Sequence, residues 1–357
     1  MSSGSKVGAL RMRAEGTARI VVTRRIPEPA IELLRGAGEV WVSPHDRPLS
    51  TEELHEAVSG ADVVVSLLHD RIDGALMDAA GPRLVCVANV AVGFDNIDIP
   101  AATERGIVVT NTPGVLTDAT ADLTFALVLA VTRRLCEGER VIRSKTPWSW
   151  QMFYMLGSGL ADKTLGVVGM GAIGVAVARR ARAFGMNIVY SGPVRATAEV
   201  EAELGARQVE LDELLDQAHV VTLHCPLTDE TRHLMNAERL RRMRKDAYLV
   251  NTSRGPVIDE AALVEALRAG EIAGAALDVF EHEPAVSPAL LEFDNVVLVP
   301  HIGSATVETR TAMGVLAARN AVAVLAGEPP WTTVNGATLG LPARAPEAEV
   351  APGRPGG

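Results

Sequence analysis

This sequence predicts a parallel α/β protein of two domains, and three features carry the prediction. Short apolar, β-branched runs alternate with helical patterns almost throughout, the rhythm of parallel sheets, whose strands are joined by helical crossovers. That rhythm runs once from Arg19 to Thr110 and restarts at Thr164. The 357 residues, 48% of them hydrophobic, are enough for two cores of ordinary size.

In chain order, the first half offers strands at Arg19–Thr23, Val40–Ser43, Asp62–Leu67, Leu84–Ala88 and Ile107–Thr110. Helical stretches such as EPAIELLRGAG, STEELHEAVSG and IPAATERG fall between them. Thr117 to Ser144 reads as one long helix bridging the domains, with no Gly or Pro before Gly138. The second half offers six strands, at Thr164–Val168, Asn187–Ser191, His219–Leu223, Ala247–Asn251, Ile272–Val279 and Asn295–Val299, the number of a complete dinucleotide-binding sheet. The last helical segment, TVETRTAMGVLAARNAVAVLAG, is expected to return to the first domain and make it discontinuous. The expected division is 18–112 with 301–335 as one domain and 113–300 as the other; 1–17 and the Pro/Ala/Gly/Glu-rich 341–357 read as disordered tails.

A formal net charge of -10 argues against the concentrated positive field that nucleic acid or an anionic membrane rewards, and leaves room for a local basic pocket. Cys86, Cys136 and Cys225 stand far apart, without CxxC or His spacing, so neither a metal site nor a disulfide framework is expected. The start lacks an apolar core of signal-peptide length, and the longest apolar run, Leu123 to Val131, is about half a membrane span. A reducing cytoplasm fits these features.

The segment TLGVVGMGAIGVAVARRARAFG places Gly169, Met170, Gly171, Ala172, Ile173 and Gly174 in GxGxxG order, after one strand and at the start of a helix. Gly169 permits the tight turn, Gly171 lets the backbone approach a pyrophosphate, and Gly174 lets helix and strand pack closely. The helix N-terminus then offers N–H groups and partial positive charge to phosphates. An acidic residue that accepts the ribose hydroxyls normally ends the next strand. Here the strand end reads Tyr190, Ser191, Gly192, Pro193, Val194 and Arg195, with no acid among the six. Without a carboxylate to repel a 2′-phosphate, and with Ser191, Gly192 and Arg195 able to receive one, NADP is the preferred cofactor, with NAD possible. The alternative is that Arg195 is a solvated loop charge.

Ligands of open parallel sheets bind beyond the carboxyl ends of the strands. Three polar residues fall there: Arg254 after the fourth strand of the second set, Glu283 after the fifth and His301 after the sixth. A guanidinium fork suits a substrate carboxylate or carbonyl oxygen, and imidazole titrates near neutrality, so it can exchange a proton with that oxygen. Glu283 would orient the ring. Asp278, inside the apolar fifth strand, needs a partner; the nicotinamide carboxamide or ribose is one candidate, a backbone cap the other.

These residues lie in ANVAVGFDNID, GIVVTNTPGVLTDATAD, KTLGVVGMGAIG, VNTSRGPVIDE, ALDVFEHEP and VPHIGSAT. In them the chain resembles the D-2-hydroxyacid dehydrogenase family from about Arg19 to Asn335, and most of all its glyoxylate/hydroxypyruvate reductase branch. The resemblance implies two Rossmann-like domains, a doubly wound cofactor domain and a flavodoxin-like substrate domain. It implies Arg254, Glu283 and His301 as the catalytic three, and Val92 and Gly93 as backbone donors to the carboxylate of a small 2-keto or 2-hydroxy acid. A homodimer joined through the cofactor domains is implied too, and the aromatic-rich TPWSWQMFYMLGSG fits an interface. Relatives acting on phosphoglycerate or phosphite share the framework, for which Arg24, Arg25 and Arg71 are candidate cations; a corepressor-like dinucleotide sensor is the reading from another class.

Overall fold

The computed structural model describes residues 16–342 and 344; the expected tails lie mostly outside these. The chain divides into two compact units, one running to Leu116 and resuming at Thr306, the other Thr117–Ala305. His301 therefore falls in the second unit.

In the first unit, β1 (Arg19–Val22), β2 (Glu39–Val42), β3 (Val63–Ser66), β4 (Cys86–Asn89) and β5 (Val108–Thr110) form one parallel sheet in the order β2-β1-β3-β4-β5. The residues of β3 and β4 are buried on both faces, which is why they read as continuous apolar runs rather than as alternation. The helix Thr51–Val58 begins with a capping box in which Ser50 and Glu53 satisfy each other's amides. The helix Val307–Leu325 belongs to this unit, so the unit is discontinuous in sequence. A Cβ at Gly314 would lie 3.2 Å from that of Ala30, so this helix packs closely on Glu28–Arg35.

The second unit holds β6 (Thr164–Val168), β7 (Asn187–Ser191), β8 (Arg207–Gln208), β9 (Val220–Leu223), β10 (Tyr248–Asn251), β11 (Gly274–Leu277) and β12 (Val296–Leu298). Their order is β12-β11-β10-β9-β6-β7-β8, all parallel, and it reverses between β6 and β9. That switch point is where a doubly wound sheet opens a crevice at its carboxyl edge. The sheet has seven strands rather than the expected six. The addition, β8, is two residues long and pairs only through Val189 with Arg207 and Tyr190 with Gln208, too little for a periodic signal.

The expected single helix over 117–144 is two, Thr117–Thr132 and Leu135–Arg143. Arg134 between them takes φ 54. The break has a tertiary cause: the Thr132 carbonyl accepts from the Ser158 amide at 2.7 Å, and a Cβ at Gly157 would lie 2.5 Å from that oxygen. The crossing segment thus caps the helix end, and no local residue announces it. Among the described residues no helix is long and apolar enough to cross a membrane.

Candidate active site

The glycine turn after β6 has a steric reason for two of its three glycines. Gly169 takes φ 96, and a Cβ there would meet the His224 carbonyl carbon and the Cys225 nitrogen at 2.8 Å. A Cβ at Gly174 would stand 2.3 Å from the Gly169 oxygen, so the helix Ala172–Ala183 seats against the turn only without a side chain there. At Gly171 a Cβ would meet nothing within 4 Å; the residue faces open space at the helix N-terminus. Gly171 and Ala172 are exposed, Met170 and Ile173 half-buried. This cradle fits a dinucleotide pyrophosphate, with backbone amides directed at it.

At the end of β7, Ser191 accepts from the Gly169 amide through its carbonyl at 2.9 Å, and the Gly192 carbonyl accepts from Gln208 Nε2 at 2.9 Å. With Arg195 and Glu201 they line a groove of about 810 Å³. Acids do line this groove, none of them from the strand end: Glu201 from the helix Ala198–Leu204, and Glu210 and Glu213 beyond β8. Glu201 receives Arg195 Nε at 3.0 Å and Nη2 at 2.9 Å, and the Tyr190 hydroxyl at 2.5 Å. Arg195 beside it holds its carboxyl below the usual carboxylate range. So Arg195 is neither a bare phosphate ligand nor a loose solvated charge; one edge of its fork is engaged.

Arg254, Glu283 and His301 follow β10, β11 and β12 on one sheet edge, where Glu283 and His301 meet. His301 takes φ 51, a left-handed conformation that a non-glycine residue keeps only when its surroundings fix it. Its amide donates to the Asp278 carbonyl at 2.8 Å, and its Nδ1 lies 2.8 Å from Glu283 Oε2. Glu283 is held in turn through Oε1 by the Phe280 amide at 3.0 Å. Both side chains are mostly buried, 23% and 18% exposed, so solvent screens the pair weakly. Asp278 is buried, and its two oxygens accept from the Ile302 amide at 2.6 Å and the Gly303 amide at 2.8 Å. Burial pushes its carboxyl above the ordinary value despite those amides. Of its two expected roles, the backbone cap is the one the geometry displays: Asp278 clamps the loop that carries His301.

Arg254 follows β10 and donates through Nη1 to the Ser253 carbonyl at 2.9 Å, while Asn251 Nδ2 donates to the Arg254 carbonyl at 2.9 Å. Sequence reasoning passed over the next residue. A Cβ at Gly255 would lie 1.8 Å from the Phe280 oxygen, so only glycine lets the Arg254 loop cross the backbone leading to Glu283. Behind that crossing, Glu260 Oε2 accepts from the Glu281 amide and Glu281 Oε2 from the Glu260 amide, both at 3.1 Å. The GP pair after Arg254 was the one visible hint of the crossing.

His224 follows β9 beside the glycine turn. Its Nε2 lies 2.9 Å from Thr222 Oγ1, and burial pushes its imidazole down to about 3, so it stays neutral. It joins neither Glu283 nor His301 in the hydrogen bonds described. Burial also pushes the Cys225 thiol up to about 11. Among the described residues no cluster suited to a metal ion is present.

In the first unit, three successive carbonyls after β4 are tied down: Ala91 accepts from the Thr112 amide at 2.8 Å, Val92 from Asn111 Nδ2 at 2.9 Å and Gly93 from Asn89 Nδ2 at 2.9 Å. A trans peptide sets its N–H opposite its C=O. The amides of Val92, Gly93 and Phe94 therefore face away from those contacts, the arrangement of an anion-binding crest. Phe94 is an addition to the two residues expected. Of the cations considered for a phosphorylated substrate, Arg24 is paired with Asp46 and Arg71 with Asp73, and Arg25 is exposed.

A family model of the D-isomer specific 2-hydroxyacid dehydrogenase NAD binding domain matches residues 125–303. A glyoxylate reductase of Thermofilum pendens is 50% identical over 322 residues, covering 89% of this chain and 94% of its own. Among solved structures, a Thermus thermophilus protein superposes with a TM-score of 0.82 at 46% identity, covering 88% of this chain and 99% of its own. The NADPH-dependent glyoxylate/hydroxypyruvate reductase of Sinorhizobium meliloti, solved with NADP and malonate, gives a TM-score of 0.77 at 34% identity, with 92% and 100% covered.

Proposed function

Because this chain belongs to the D-isomer specific 2-hydroxyacid dehydrogenase family and is an NAD(P)-dependent 2-hydroxyacid dehydrogenase, we propose that it reduces glyoxylate or hydroxypyruvate, with NADPH as the preferred donor. The observation that carries the chemical part is the His301–Glu283 pair, fixed at 2.8 Å on the sheet edge that also bears the glycine turn. The bound dinucleotide supplies the hydride. Glu283 accepts from Nδ1–H, which assigns proton transfer to Nε2: His301 gives that proton to the carbonyl oxygen in reduction and takes it from the alcohol in oxidation. Arg254 binds the substrate's carboxylate or carbonyl oxygen through its planar fork. In the first unit, the Val92 and Gly93 amides offer donors that suit a carboxylate. Gly169 to Gly174 cradle the pyrophosphate, and Ser191, Gly192 and Arg195 receive the 2′-phosphate.

Steady-state rates over a panel of 2-keto acids with both cofactors test the proposal. It expects the highest kcat/KM with glyoxylate or hydroxypyruvate and NADPH. A phosphorylated or bulkier acid ranking first, or equal use of NADH, overturns the corresponding half. Cofactor binding without turnover across the panel would point to a dinucleotide sensor.

The same reading includes a homodimer in the cytoplasm. Trp150 and Phe153 are 78% and 82% exposed, the helix Leu135–Arg143 buries none of its residues, and apolar side chains so concentrated mark an interface. Light scattering should return twice the 37.7 kDa chain mass; a monomer at micromolar concentration would refute the dimer. Three free thiols suit a reducing compartment.

A further inference from the structure

We propose that Glu201 and Tyr190 are cofactor-specificity residues which act by holding Arg195 in place for a 2′-phosphate, an inference that rests on the NADPH reading above. Arg195 is 72% exposed along its side chain, Glu201 only 16%. A long exposed arginine ordinarily samples many rotamers, and fixing it on binding costs affinity. Here the fixing precedes the ligand. Glu201 engages the Nε/Nη2 edge of the guanidinium through two hydrogen bonds, of 3.0 and 2.9 Å. The fork has five N–H donors, so Nη1 and the second Nη2 hydrogen stay on the outer edge, directed away from Glu201.

Glu201 is anchored from below. The Tyr190 ring is fully buried in the core of the second unit, and its hydroxyl donates to Glu201 Oε1 at 2.5 Å while accepting from the Ala196 amide at 3.0 Å. One phenol thus pins both the carboxylate and the backbone next to Arg195. On the other side Gln208, from β8, holds the Gly192 carbonyl. The loop Gly192–Ala196 is tied at each end, with Arg195 on the rim of the groove it shares with Ser191 and Gly192. Glu201 supplies the acid this fold normally places at the strand end, with its charge turned to orienting a cation.

Charge alone and pre-positioning predict opposite signs, which makes the inference testable. Removing the Glu201 carboxylate takes a negative charge away from a phosphate site, so a purely electrostatic role predicts tighter NADPH binding in Glu201→Ala. Removing the Tyr190 hydroxyl leaves every charge in place, so that role predicts no change in Tyr190→Phe. Positioning predicts weaker NADPH binding in both, by about two- to tenfold, the cost of immobilising one long side chain. NADH binding should stay within about twofold, and this also reports that each variant is folded. Dissociation constants for NADPH and NADH in the wild type, Arg195→Ala, Glu201→Ala and Tyr190→Phe decide the matter. If the wild type does not prefer NADPH, or Arg195→Ala weakens both cofactors alike, the underlying cofactor reading fails. If it does prefer NADPH through Arg195, but Tyr190→Phe keeps the wild-type ratio or Glu201→Ala raises it, the positioning role is overturned.

Discussion

The two halves of the second unit's carboxyl edge are built differently. At the ends of β10 to β12, chemistry rests on buried or mostly buried groups locked by backbone: Asp278 takes two amides, Glu283 one, and Gly255 permits a crossing no larger residue allows. At the end of β7, the residue proposed for cofactor selection is an exposed arginine steadied by a carboxylate six residues away. A catalytic group must hold its place to a fraction of an ångström. A phosphate ligand needs only a biased cation, because charge attraction tolerates small displacements. Order is concentrated where the reaction demands it.

If this contrast is right, breaking the catalytic half costs rate, and disturbing its support costs stability. The largest effect is expected for His301→Asn, which removes the proton donor; the chemical step should slow by about 10²–10⁴-fold, read as single-turnover oxidation of NADPH. A loss under about tenfold would remove His301 from the role. Next comes Gly255→Ala, whose methyl would overlap the Phe280 carbonyl. Overpacking against backbone should destabilise the fold by about 3 kcal/mol or more, and a denaturant midpoint equal to that of the wild type would show that the crossing can relax.

His224 lies between the halves and gives a smaller effect, set by pH. Its native pKa is depressed to about 3 by burial, whereas the unfolded value is about 6.5. As pH falls below the unfolded value, the unfolded chain takes up a proton that the native state refuses, so stability declines with acidification. The decline is at most about 1.4 kcal/mol per pH unit. Thermal unfolding at neutral pH and one to two units lower should show a shallower loss for His224→Asn than for the wild type. Parallel losses would show that His224 is not the group refused a proton.

What was legible in the sequence follows the same division. The glycine turn was readable because its GxGxxG spacing falls between a strand and a helix, and the placement of Arg254, Glu283 and His301 past the strand ends was readable because strand order fixes which loops reach the edge. Glu201 was not readable. It stands six residues past Arg195, near Glu199, and only the turn of the helix Ala198–Leu204 brings it rather than Glu199 back to Tyr190. The break at Arg134 and the two-residue β8 escaped for a related reason: each is set by a partner distant in sequence, Ser158 in one case and β7 in the other. Asp278 was readable as a buried charge in need of a partner, but the Ile302 and Gly303 amides that cap it come from a loop 24 and 25 residues on.

The separation of the two halves can be measured directly by comparing His301→Asn and Arg195→Ala in one experiment, with NADPH affinity and the single-turnover rate at saturating NADPH recorded for each. The account predicts that His301→Asn lowers the rate by about 10²-fold or more while NADPH affinity stays within about twofold. It predicts that Arg195→Ala weakens NADPH by about tenfold or more, the loss of a charge-assisted hydrogen bond, with the rate at saturation unchanged. A slowed chemical step in Arg195→Ala at saturating cofactor, or a matching loss of NADPH affinity in His301→Asn, would contradict it.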